Sequence, residues 1–434
     1  MLETQKYIIS LLVDNSEQSK HVFYGNITDA PPLARIIIIQ SDFFDEDKYG
    51  TSSTLPKIPF SVLPDSDIPF LFGESRIEYG NNGCIILYAD LVASAFFMLS
   101  RYEEIIKPNC RDQYGRFLAK DSVIFQQGYG MRPLVDEWGR YLKILLRQVG
   151  VEVAEGKHGF SKIYLTHDID MPFFLSSLKD VAIQFARNIL KRDVQIKRPL
   201  AAYIENDGDY FYTFPWIIQK DNELKEAIGT ELVESVYFII SAKNSRCNHY
   251  FSVKSHKYKK LLLLLCKSGA RFGLHISHEG GINPSLVSEE IKRLPPCVDC
   301  NNLYSRNHFL RWLEPEYVVQ MENAGIKHDF TLGYADSIGF RVGTCHSYYF
   351  INPKTKTITD VMIHPLQIME GTLEANQYMG LSEVTAFEYC KKVISEVYKY
   401  NGEFVLLFHN SSFIPEKYHA FLYERILNFC SELQ

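Results

Sequence analysis

Short apolar runs alternate with longer amphipathic segments through residues 156–434, and this alternation limits the fold more than any other feature of the sequence. Strands are expected at 162–166, 236–240, 271–275, 327–331 and 403–408. Helices are expected between them, at 176–191, 254–268, 285–294, 314–325 and 382–400. A chain that alternates strand and helix forms parallel strands covered by helices, as a barrel or an open sheet. The sequence therefore predicts an α/β fold.

The first 155 residues are expected to form a smaller α/β domain of their own. A polar joint with two glycines, at 156–159, separates it from the rest, so we divide the chain into domains 1–155 and 156–434. Within the first domain, strands are expected at 7–13 and 35–40, and helices from Asp90 and over 137–149. No cluster of histidines, cysteines and carboxylates precedes the joint. All chemistry is therefore assigned to 156–434.

Titratable side chains lie where the predicted strands end. Asp168 and Asp170 follow the first strand, and the two-residue period of a strand puts both on one face. His275 ends the strand 271–275, and His409 follows the last strand. The carboxyl ends of parallel strands meet at one edge of the sheet, where catalytic groups collect. The sequence therefore predicts an active site at this edge.

The same residues predict a bound metal ion. Two adjacent carboxylates repel each other unless a cation or a shared proton compensates them. His278 and Glu279 follow His275 by three and four residues, so a helical turn would let either face the same point as His275. Together with Asp170 this gives three ligands and an open position, which is the pattern of a catalytic zinc or similar divalent ion. His409 would be a proton donor, because the pKa of imidazole lies near neutrality.

These motifs resemble those of the polysaccharide deacetylases, the carbohydrate esterase family 4, over roughly residues 160–412. The stretch Thr166-His167-Asp168-Ile169-Asp170 is similar to a D-x-D variant of the family's first motif, and Leu407-Phe408-His409 is similar to its last. The resemblance implies a distorted β/α barrel. It also implies metal-dependent removal of an N-linked acetyl group from a carbohydrate.

The resemblance implies a role for each residue of the metal centre. Asp168 corresponds to the general base, and Asp170 and His275 correspond to metal ligands. The family has a second histidine four residues after the first. Here Glu279 holds that position and His278 comes one residue earlier, and His278 is taken as the third ligand.

Three further residues correspond to the remaining motifs. Arg306 matches the arginine that orients the base, Asp329 loosely matches the fourth motif, and His409 matches the acid that protonates the departing amine. The segment from Ser94 to Glu104 resembles an uncharacterised domain that precedes such deacetylases in some bacterial proteins. That resemblance implies an architecture and no activity.

Composition and charge limit the classes of binding partner and the cellular location expected for this chain. The net charge of −6 and the absence of a long basic stripe argue against nucleic acid or an anionic membrane as a partner. No run approaches the roughly 20 apolar residues that cross a bilayer, and no export signal is visible. The nine cysteines lack paired spacing, which suits a reducing compartment. We expect a cytoplasmic protein with a carbohydrate substrate.

Two other functions stay open. A catalytically silent carbohydrate-binding protein on the same scaffold would explain the displaced second histidine. It would also explain Ile169, which stands where the common motif has an aspartate. A metal-dependent hydrolase of another small amide would suit the lack of an export signal.

Overall fold

The computed structural model of this chain describes residues 2–14, 16–80, 83–190, 198–206, 208–242, 255–313 and 316–434. The strands are Val22–Tyr24 (β1), Ile36–Ile38 (β2), Ser61–Val62 (β3), Pro69–Phe70 (β4), Gly73–Tyr79 (β5), Ile85–Ala89 (β6), Lys162–Ile169 (β7), Val233–Ile239 (β8), Arg271–Ile276 (β9), Leu303–Asn307 (β10), Ile326–Asp329 (β11), Tyr348–Asn352 (β12), Thr357–Ile363 (β13), Ile368–Met369 (β14) and Glu403–Leu407 (β15). The helices are Glu3–Val13 (α1), Leu91–Leu99 (α2), Tyr102–Ile106 (α3), Val123–Gln126 (α4), Leu134–Gln148 (α5), Leu178–Ile189 (α6), Pro199–Glu205 (α7), Phe214–Ile228 (α8), His256–Lys267 (α9), His278–Ile282 (α10), Val287–Ile291 (α11), Glu316–Asn323 (α12), Glu370–Glu374 (α13), Glu383–Lys399 (α14) and His419–Leu433 (α15). The expected helix ends at residues 191, 254 and 314 lie outside the described residues.

Nine strands form the main sheet, in the order β12-β13-β11-β10-β9-β8-β7-β15-β14. Every neighbouring pair is parallel except β12 with β13, so the carboxyl ends of the parallel strands lie along one edge. Nearly all residues of β7, β8, β9 and β15 are buried, as is typical of parallel strands covered on both faces. The sheet curls as a half-barrel that ends at β12 and β14. The expected α/β class is therefore correct, and the strand pairing of the described residues does not close a complete barrel.

Five predicted strands correspond to β7, β8, β9, β11 and β15. Strand β10 was not predicted, although the sequence analysis singled out Arg306 within it. Its residues Ser305, Arg306 and Asn307 are polar, yet all five residues of the strand are buried. Hydropathy cannot detect such a strand, because its polar side chains are buried through specific hydrogen bonds.

The N-terminal region contains a four-stranded sheet in the order β1-β2-β6-β5, with α1, α2 and α5 packed nearby. The strand expected at 7–13 is wrong, because these residues belong to helix α1. The apolar residues that α1 buries recur at helical spacing, and they are Ile8, Ile9, Leu12 and Val13. The expected helices from Asp90 and near 137–149 are present as α2 and α5.

The N-terminal region packs directly against the main sheet. One hydrophobic cluster includes residues from both parts of the chain, such as Trp138 of α5 and Tyr348 of β12. Arg341 donates to both oxygens of Glu104, at 2.7 and 2.9 Å, and Arg101 donates to Glu104 at 2.9 Å. Burial raises the pKa of Glu104, but Arg341 and Arg101 outweigh this and lower it. A buried, paired charge therefore joins the two parts.

Candidate metal centre

Three ligand-type side chains meet at the carboxyl edge of the main sheet. Asp170 follows β7, His275 lies near the end of β9, and His308 follows β10 directly. Their ligand-type atoms all lie within 4.8 Å of one another. Asp170 reaches both rings, with Oδ1 3.2 Å from His275 Nε2 and Oδ2 3.5 Å from His308 Nε2. One carboxylate and two imidazoles form a ligand set for a divalent metal ion.

Two atoms of this group, Asp170 Oδ1 and His275 Nε2, are buried without a hydrogen-bond partner. Nδ1 of His275 lies 3.0 Å from the carbonyl oxygen of Arg306, so Nδ1–H donates there. In the neutral ring Nε2 then presents a lone pair to the carboxylate. Two buried acceptors at this distance need a proton or a metal ion between them. The residues therefore fit a cation, and their chemistry fits a divalent metal.

The pKa values of these residues show how strongly the site favours positive charge. Burial lowers the pKa of His275, but Asp168 and Asp170 outweigh it and raise the pKa above its ordinary value. Burial raises the pKa of Asp170, but His308 and His275 outweigh it and hold the pKa well below its ordinary value. A second proton on His275 and a metal ion would compete for the same place. Binding of a metal should therefore release a proton.

Asp168 lies beside this group, and Arg306 holds its carboxylate. Nη1 of Arg306 donates to Asp168 Oδ1 at 2.9 Å and to Thr166 Oγ1 at 2.8 Å. The side chains of Arg306 and Asp168 are 0% and 3% exposed, so the pair is buried and fixed. The other oxygen of Asp168 lies 3.6 Å from His275 Nε2 and 4.0 Å from His409 Nε2. Asp168 thus directs one carboxylate oxygen toward His275 and His409.

His409 lies beside the ligand group, with Nε2 3.6 Å from Asp170 Oδ2. Its Nδ1 donates to Glu370 Oε1 at 2.7 Å, and its backbone N–H donates to the same oxygen at 2.9 Å. Burial lowers the pKa of His409, but Glu370 and the two aspartates outweigh it and raise the pKa to about 10. Burial raises the pKa of Glu370, but His409 outweighs it and lowers the pKa to about 2. His409 therefore holds a proton at neutral pH.

His278 and Asp329 do not lie at this point. His278 begins α10, and its ring stands edge-on to Phe309 with centroids 5.7 Å apart. Neither His278 nor Glu279 belongs to the ligand group that the described residues form. Asp329 accepts hydrogen bonds from Ser305 Oγ and from the hydroxyl and backbone N–H of Thr331. Burial raises the pKa of Asp329 to about 6, against these hydrogen bonds. Asp329 therefore ties β10 to the end of β11.

The structure contains a second group of ligand-type side chains, Asp136, Cys345 and His346. Asp136 Oδ1 accepts from Thr344 Oγ1 at 2.6 Å, and Oδ2 accepts from the backbone N–H of Cys345 at 2.9 Å and lies 3.1 Å from its Sγ. Burial and the Asp136 carboxylate raise the pKa of the Cys345 thiol well above its ordinary value. A thiol binds metal as a thiolate. Hydrogen bonds therefore hold this group together at the start of α5, and we call the three residues the clasp.

Two residues of the site, His308 and Glu370, were missed by sequence reasoning. Each follows a strand of the main sheet, as the predicted site residues do. His308 comes two residues after Arg306, which pairs with His275 across β10 and β9. Recognition of β10 as a strand would therefore have identified His308. The two-residue strand β14, which precedes Glu370, has no comparable pattern.

Comparisons with known proteins give two findings. A family of unknown function, DUF7033, matches residues 6–150. Among solved structures, the chain is similar to a crystal structure described as "putative polysaccharide deacetylase from Mycobacterium smegmatis". The identity is 14% and the TM-score 0.39, over 64% of this chain and 86% of that chain. None of the curated proteins matches.

No helix within the described residues has the length and apolar character needed to cross a membrane.

Proposed function

We propose that this chain is a metal-dependent hydrolase that removes an N-linked acetyl group from a carbohydrate. The proposal depends on one observation, the convergence of Asp170, His275 and His308 with two buried ligand atoms that have no hydrogen-bond partner. The resemblance of 166–170 and 407–409 to deacetylase motifs supports the acetyl group and the carbohydrate. Zinc is the proposed ion, because nitrogen and oxygen ligands in this number are typical of catalytic zinc. The cytoplasmic location stays a prediction.

Each side chain around the ligand group has its own task. Asp170, His275 and His308 would hold the ion, which when bound polarises a carbonyl group and lowers the pKa of water. Asp168 accepts the proton of the attacking water through the oxygen that Arg306 leaves open. His409, kept protonated by Glu370, gives a proton to the departing amine. A base and an acid beside the ligand group suit hydrolysis of an amide.

The test is zinc titration of the metal-stripped chain together with acetate release from a panel of N-acetylated sugars. The parent chain should bind one zinc per chain tightly and release acetate from at least one sugar. His308→Ala should lose both, because it removes one of three ligands. His278→Ala is the matched control, since it removes a nearby imidazole outside the ligand group, and it should keep both. A parent chain without tight zinc, or zinc retained in His308→Ala but lost in His278→Ala, would refute the assignment.

A further inference from the structure

Phe309 lies between the candidate ligand His308 and a turn of the N-terminal region. Its ring stacks on His308 with centroids 4.1 Å apart and planes at 15°, and on Tyr114 with centroids 4.7 Å apart and planes at 16°. Two nearly parallel rings at these distances would overlap if they shared one face of Phe309. His308 and Tyr114 therefore stack on opposite faces. A continuous ring stack connects the N-terminal region to the metal centre.

The backbone next to His308 is strained. Phe309 has a φ of 62° and Leu310 a φ of 55°, in the left-handed region that residues other than glycine seldom adopt. Such residues cost on the order of 1–3 kcal/mol each and persist only where their surroundings hold them. A Cβ at Gly115 would lie 2.7 Å from Nε of Arg311, so the turn packs closely on the residue after the strained pair. The turn 112–116 is therefore placed to hold this backbone.

The turn is itself fixed by its own hydrogen bonds. Asp112 accepts from the backbone N–H groups of Tyr114 at 3.0 Å and Arg116 at 2.9 Å. It also accepts from the Arg116 guanidinium at 2.9 and 2.7 Å. Arg116, which is 5% exposed, donates further to Tyr378 Oη at 2.6 Å. Hydrogen bonds thus fix the turn internally and connect it to Tyr378.

We propose that Tyr114 is a positioning residue for the metal centre, so that the N-terminal region fixes the ring of His308 through Phe309. The inference rests on the proposed function, because it takes His308 as a metal ligand. Positions that support a ligand commonly change metal affinity by 10–100-fold when they are altered. The inference assigns a role in metal binding to the region that DUF7033 matches, residues 6–150. The sequence alone had assigned all chemistry to 156–434.

The test compares zinc affinity and acetate release in full-length variants. Tyr114→Ala removes the outer ring of the stack and should weaken zinc binding by roughly 10–100-fold. Tyr114→Phe keeps the ring and should match the parent chain. Tyr129→Ala is the matched control, because Tyr129 also stacks in the N-terminal region, on Phe60 at 5.8 Å, and its loss should leave zinc affinity unchanged.

The outcomes separate this inference from the proposed function. Parent-like zinc affinity in Tyr114→Ala would overturn the inference and leave the proposed function standing, and so would an equal loss in Tyr129→Ala. Absence of tight zinc in the parent chain would overturn both. If Tyr114→Ala does not fold, Tyr114→Leu keeps most of the volume without the ring. Tyr114→Leu should likewise weaken zinc binding by roughly 10–100-fold. Parent-like zinc affinity in Tyr114→Leu would overturn the inference.

Discussion

Asp170–His275–His308 and Asp136–Cys345–His346 are both compact groups of metal-ligand side chains, and they differ in what their atoms already bind. In the first group Asp170 Oδ1 and His275 Nε2 are buried without partners. In the second, Asp136 accepts hydrogen bonds with both oxygens. Ligand chemistry and proximity are thus common to both groups. The unmet need for positive charge distinguishes the first group and makes it the candidate metal centre.

Asp168→Asn should have the largest effect on turnover. Asp168 lies beside the ligand group but is not part of it, and Arg306 holds one of its two oxygens. The variant should keep its zinc while acetate release falls about 10²–10⁴-fold, the range for a lost general base. Zinc content by elemental analysis and initial rates on the same preparation check this. Loss of zinc from Asp168→Asn would show that Asp168 is itself a ligand of the ion.

Glu370→Gln should alter the pH dependence of the rate. Glu370, together with Asp170 and Asp168, raises the pKa of His409 to about 10, so the parent chain keeps its proton donor through mildly basic pH. Without that negative charge the pKa of His409 falls toward its ordinary value near 6.5. The basic limb of the kcat profile should move to lower pH, with roughly a tenfold loss at pH 8 and little loss at pH 6. An unmoved basic limb would show that His409 is not the acid.

Asp136→Ala should have the smallest effect on metal and rate. It removes the acceptor for the Thr344 hydroxyl and for the Cys345 N–H, both of which it leaves buried. The free energy of unfolding should fall by about 1–3 kcal/mol, the cost of unsatisfied buried donors. Zinc stoichiometry and kcat should not change. Denaturant unfolding and zinc titration measure the two effects separately, and loss of a zinc equivalent would show that the clasp is a metal site.

The sequence predicted the parts of the fold that hydrophobic periodicity encodes. Strands β7, β9 and β15 are apolar and end in titratable residues, so Asp168, Asp170, His275 and His409 were selected from their positions alone. The structure brings these four together with Arg306. Strand β10 escaped detection because its buried residues are polar, and His308 was missed with it.

The proposed third ligand shows why spacing along the chain was not enough. His278 follows His275 by three residues, but helix α10 begins at His278 and its ring packs against Phe309. His308 is distant in sequence and reaches the site because β10 pairs with β9. Strand pairing between distant segments is a tertiary feature that no local pattern encodes. The strand predicted at 7–13 was wrong for a local reason, because a short apolar run fits either a strand or a helix.

The most direct test is a crystal structure of the zinc-soaked chain with anomalous diffraction recorded at the zinc edge. The account predicts one strong peak per chain, within bonding distance of Asp170, His275 and His308, at about 2.0–2.2 Å. It predicts no peak between Asp136, Cys345 and His346. A peak at the second group, or a zinc ion bound by His278 in place of His308, would contradict it.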